Sequence, residues 1–205
     1  MAVDPKNLAV RLVLARFYAA TGKKDQAEQA LQQTKKELAD DPAAYRLVGD
    51  YYAAQGRLDD AIVEFGNLFQ QHPKDLRIEK TYIELLLRRG RLDDAEKLTG
   101  QLLKSGKNDA EGMIFHGILE LARGRPAEAI PVLESALKYV PDNALAHYEL
   151  GLAADQVGDL ERAEREWREA VRLRPALLEA QLALAGLAIG KGNDPLLDQA
   201  AESVI

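Results

Sequence analysis

The hexapeptide GRLDDA runs from Gly56 to Ala61 and again from Gly90 to Ala95, 34 residues further on. The same step from Gly22 meets Gly56, Gly90, Gly124, Gly158 and Gly192, although the chain holds only 15 glycines in 205 residues. A fixed internal period of this length is the signature of a repeat architecture. Five residues after each glycine stand Ala27, Ala61, Ala95, Ala129 and Ala163, with Leu197 at the sixth place. Pro73, Pro141 and Pro175 lie half a period after a repeat glycine, where other units have Ala39 and Lys107. One such step upstream of Gly22 falls Pro5. These ladders divide the chain into a tail of an earlier repeat (1–7), five full repeats (8–41, 42–75, 76–109, 110–143 and 144–177) and a partial sixth repeat or capping helices (178–205), in one solenoid domain overall. Gln199 to Ile205, QAAESVI, reads as the start of a further helix, and the whole as an excerpt from a longer array.

Between glycines the apolar spacing is helical. Leu145, Tyr148, Leu152 and Ala153 mark one stripe, and Leu160, Ala163, Trp167, Ala170, Val171 and Leu173 the next, at steps of three and four. Each repeat is therefore helix, tight turn, helix. Glycine closes the first helix because it takes the left-handed C-terminal conformation without strain. Pro126 suits the first position of the second helix, where no N–H partner is lost. Asp59–Asp60, Asp93–Asp94 and Glu128 favour the positive end of the helix dipole. The expected fold is all-α: a right-handed superhelical solenoid of antiparallel helix pairs.

Composition narrows the function. With 27 Lys+Arg against 33 Asp+Glu the net charge is −6, which argues against nucleic acid as a partner. No apolar run is long enough to span a membrane, and no signal peptide is visible. There is no Cys, so disulfides, Cys-ligated zinc and thiol catalysis are excluded. The serines, Ser105, Ser135 and Ser203, lie in no nucleophile motif. Glu161, Glu164 and Glu169 alternate with Arg162, Arg165, Arg168 and Arg172, as on a solvated, salt-paired helix face. His116 and His147 fall on neighbouring first helices without a third ligand at metal spacing, so they read as packed histidines, and His72, before Pro73, reads as solvated. Gly66 and Gly100 share one place in two second helices; drift on an exposed face is favoured over close packing. Pro131 should bend its helix slightly. The expectation is no catalytic residue, no metal and no cofactor.

The pattern resembles the tetratricopeptide repeat (TPR) family over nearly the whole chain. The second unit carries Tyr45, Val48–Gly49, Tyr52, Gly56, Ala61, Phe65 and Pro73 at the motif places. The fifth carries His147, Leu150–Gly151, Gly158, Ala163, Trp167, Ala170 and Pro175. The third departs most, with Ile83, Thr99 and Lys107 at the small, aromatic and proline places. The resemblance implies a non-catalytic scaffold that holds a peptide or protein on its concave face, built by the first helices. Transferred by position, that face carries Arg16, Arg46, Asp50, Arg77, Lys80, Glu84 and Arg88 in units one to three, basic over acidic by five to two. In units four to six it carries Ile114, Ile118, Leu121, Tyr148, Leu152 and Leu182. The expected partner segment is acidic toward the first set and apolar toward the second; the alternative for Ile114, Ile118 and Tyr148 is burial between helices.

The carboxylate clamp of chaperone-binding relatives is not expected. Its places hold Leu12, Arg16, Leu47, Arg77 and Thr81, or one unit later Arg46, Asp50, Thr81, Glu111 and Phe115. Two other readings stay open: self-association into a homo-oligomer through the open solenoid ends, and a regulatory or docking array of a larger enzyme or secretion/envelope assembly protein. The resemblance suggests a bacterial source and leaves the cytoplasm and the periplasm both open.

Overall fold

The computed structural model describes residues 7–106 and 109–191, and all regular structure among them is helical. The chain divides into two compact units, residues 1–91 and 92–205. Pro5, Lys107, Gly192, Leu197 and the segment 199–205 lie outside the described residues.

In the first unit, α1 (Leu8–Ala20) packs on α2 (Lys24–Glu37). A first helix in two pieces follows, α3 (Pro42–Tyr45) and α4 (Leu47–Ala54), interrupted at Arg46, whose backbone stays in the right-handed helical region. Then α5 (Leu58–Gln71) packs between α4 and α6 (Leu76–Arg88). In the second unit α7 (Leu92–Ser105) meets α8 (Ala110–Ala122). The pairs α8/α9 (Pro126–Tyr139) and α10 (Ala144–Gln156)/α11 (Leu160–Leu173) follow, and α12 (Leu178–Lys191) packs on α11.

The turns repeat one geometry. Gly22, Gly56, Gly90, Gly124 and Gly158 all have φ between 70° and 86°. After Tyr52, Gly56 N–H donates to the Ala53 carbonyl and Arg57 N–H to the Tyr52 carbonyl, at 3.1 and 2.9 Å. This pair of bonds, the Schellman arrangement, satisfies carbonyls that a helix end leaves open. A side chain at these positions would be strained by the backbone itself.

Small residues let paired helices close. A Cβ placed on Gly49 would lie 2.6 Å from the Phe65 ring, and one on Gly151 2.4 Å from the Trp167 indole. Ala61, Ala95, Ala129 and Ala163 are fully buried on the second helices. Two expectations are corrected here. Gly66 is not drift: its Cβ place is 3.1 Å from the Tyr82 hydroxyl, so the end of that side chain from α6 occupies the space beside it, whereas Gly100 has open space. His72 is not solvated but half-buried, stacked on Tyr45 with ring centroids 4.2 Å apart. Tyr45 O–H in turn donates to Asp75, which caps α6 through the Arg77 N–H. Pro131 sits on the exposed side of α9, which continues through it to Tyr139.

A third ladder, not read from the sequence, starts the first helices. Asn7, Asp41, Asp75, Asp109 and Asn143 recur at the same period, and each accepts a backbone N–H of the helix it precedes. Such caps contribute about 1 kcal/mol each.

Candidate functional site

The first-helix face of the first unit is polar. Arg16, Asp50, Arg77, Glu84 and Arg88 are exposed, and Arg46 and Lys80 are partly covered. An Arg46 Nη nitrogen stands 3.7 Å from the Asp50 carboxylate, while its Nε is buried without a hydrogen-bond partner. Partial loss of water raises the Asp50 pKa, and the Arg46 charge opposes the rise.

In the second unit the face is apolar but only partly open. Ile114 is 2 % exposed, enclosed with Ala136 and Ala146. It is core rather than a contact surface, because Ala146 of the next first helix closes over it. Ile118 packs beside that cluster, Leu121 against Leu150 and Ala153, and Leu152 against Leu184. Tyr148 packs against Ala180, and these four stay half-buried. Leu182 is 60 % exposed.

One residue of this region was missed in the sequence. Glu149, beside Tyr148 on α10, is pushed up to about 7, first by burial and then by the charge of Glu179 on α12. Tyr148 is also raised, by burial and then by Glu149 and Glu179. No cation is among the causes acting on Glu149. A charge set into an apolar wall leaves no signature in local spacing, which is why the sequence did not show it.

The two inner histidines hold different partners. His116 Nε2 lies 3.2 Å from Glu120, which is also held by Arg125. His147 places Nδ1 2.7 Å from Glu166 and Nε2 2.9 Å from the Pro141 carbonyl, tying α10 to α11 and to the preceding turn. Among the described residues no three His, Cys, Asp or Glu side chains are grouped to hold a metal ion. No described helix is long and apolar enough to cross a membrane.

The repeated hexapeptide itself has a second duty. Asp59 pairs with Arg89 at 2.8 Å, and Asp93 with Arg123 at 3.0 Å, each arginine standing just before the next repeat glycine. These are exposed surface pairs that add little stability. The first Asp of each copy therefore contacts the following first helix as well as favouring its own.

Family models described as tetratricopeptide repeat match residues 1–51, 52–112 and 116–176. The chain belongs to the tetratricopeptide repeat family. Several solved structures share its fold. PilW, a type IV pilus biogenesis factor, superposes with a TM-score of 0.71 at 19% identity, over 97% of this chain and 91% of its own. A TPR protein of Thermus thermophilus gives 0.67 at 20% identity, over 88% and 98%. One from Parabacteroides merdae gives 0.64 at 17%, over 96% and 77%. At these identities the likeness is one of fold. The curated proteins give no match to the sequence. As TPR repeats, the helix pairs form a scaffold of the kind that binds protein partners, and such scaffolds are typically non-catalytic.

Proposed function

We propose that this TPR chain is a non-catalytic scaffold that holds a protein or peptide segment on the face built by its first helices. The observation that carries the reading is the exposed, mainly basic set on the first unit: Arg16, Arg77 and Arg88, with Arg46 partly covered. That face favours acidic side chains. In the second unit Ile118, Leu121, Tyr148, Leu152 and Leu182 favour apolar ones, and Glu149 with Glu179 favours a basic side chain among them. Ile114 is excluded from the contact set by its burial.

Site-specific photo-cross-linking tests this. The cross-linker is placed at Arg77 and Arg88 on a first helix, and at Val63 and Glu161, exposed positions of second helices. The expected result is a cross-linked partner from the first pair and none from the second. A partner captured only from Val63 or Glu161 overturns the reading. Capture at Arg77 should also weaken with added salt, as an exposed charged contact does.

A further inference from the structure

Consecutive first helices in the second unit join by one rule. Ile114, Ile118 and Leu121 of α8 pack with Ala146, Leu150 and Ala153 of α10. The pattern recurs where Tyr148 and Leu152 of α10 meet Ala180 and Leu184 of α12. One side of each first helix therefore presents a stripe at spacings of four and three, and the next first helix presents a matching stripe.

Both stripes also occur exposed among the described residues. Counting back from Ala146, Leu150 and Ala153 in whole repeat periods gives Val10, Leu14 and Phe17 on α1. Their counterparts on α10 are at most 2 % exposed, yet these three are 42 %, 45 % and 57 % exposed. Val13 beside them is 66 % exposed. Counting forward from Ile114, Ile118 and Leu121 gives Leu182, Gly186 and Ile189 on α12. Here Leu182 and Ile189 are 60 % and 68 % exposed, and a Cβ on Gly186 would meet nothing within 4 Å. The α1 stripe and the α12 stripe are thus the two halves of the joint that the chain already makes between its own first helices. Leu14 falls opposite Gly186, where there is room for it.

We propose that α1 of one copy stacks on α12 of a second copy, continuing the repeat across the molecular boundary. The second copy is the occupant because one chain carries both halves, apolar and in matching register. The contact joins two different surfaces, so it is heterologous: copies add head to tail, and growth stops only by ring closure or by a blocked end.

The test uses the full chain and two variants, Leu14→Glu/Phe17→Glu on α1 and Ile189→Glu on α12. All these side chains are exposed, and circular dichroism verifies that each variant keeps its helix content. Light scattering is read from micromolar to millimolar concentration. The native chain is expected to rise in mass past one chain, while each variant alone stays a monomer. An equimolar mixture of the two variants retains one good α1 face and one good α12 face. It is expected to form a dimer and nothing larger. A native chain that stays monomeric throughout overturns the proposal. So does association that survives in either variant alone, or a mixture of variants that stays monomeric.

Discussion

Gly151 lies under the indole of Trp167, whose N–H is fixed to the Tyr148 carbonyl at 3.2 Å. A methyl at Gly151 would need the ring to move, and the ring is held. At Gly117 the obstacle is the fully buried Leu133, whose Cγ and one methyl carbon both lie 2.5 Å from the Cβ place. Gly151→Ala and Gly117→Ala are each expected to cost about 2–3 kcal/mol, read as a fall in urea midpoint at unchanged slope. A variant as stable as the native chain would mean that the large neighbour gives way freely. The helix caps allow a second comparison. Asn143 accepts the Ala146 N–H, and Asn143→Ala is expected to lose about 1 kcal/mol, whereas Asn143→Asp keeps the acceptor and most of the stability. The glycine ladder was legible because few other residues take so positive a φ, so conformation and identity coincide. The Asx ladder was equally periodic, yet a capping role is shared by four residue types and its regularity is hidden among Asp and Asn elsewhere.

At the level of the helix, α10 carries the clearest electrostatic conflict. Glu149 has an ordinary value of 4.5 and stands at about 7 in the folded chain. Between those values the folded chain keeps a proton that the unfolded chain has released. The stability from this group is full below about pH 4.5 and is lost as pH rises through 7. Glu149→Gln removes the titration. Its unfolding free energy in urea titrations is expected to match the native chain near pH 4.5 and to exceed it at pH 8, by on the order of 2 kcal/mol. A variant no more stable than the native chain at pH 8 would show that Glu149 is not held in a poorly solvated site. Periodicity located α10 and its buried stripe, but not which stripe residues stay reachable. Ile114 and Tyr148 occupy the same place in successive repeats, and one is core while the other is half-open. The difference lies in what each neighbouring first helix brings. The stacking of His72 on Tyr45 was hidden for the same reason: it joins the first helix of a unit to the turn that follows its second.

At the scale of the molecule, stability within each compact unit should behave as a sum over helix pairs and the joints between them, as it does in repeat arrays. The contacts that close one pair recur in the next: a capped start, a positive-φ glycine, a small residue under a large one. Removing a complete repeat should therefore leave every remaining pair with a neighbour of the right register. Deleting residues 110–143 brings α7 before α10, and Asp109 then stands where Asn143 stood, placed to cap α10. The shortened chain is expected to fold, with helix content per residue unchanged in circular dichroism. Its urea slope should fall by about one sixth, the share of the chain removed, since that slope scales with the surface exposed on unfolding. Deleting 126–142 alone removes α9 and takes away the partner of Ile114, Leu150 and Ala153 in their clusters. That smaller deletion is expected to do more damage than the larger one, lowering the midpoint and exposing apolar surface to a hydrophobic dye. If instead damage follows the number of residues removed, the helix pair is not the unit of stability in this chain.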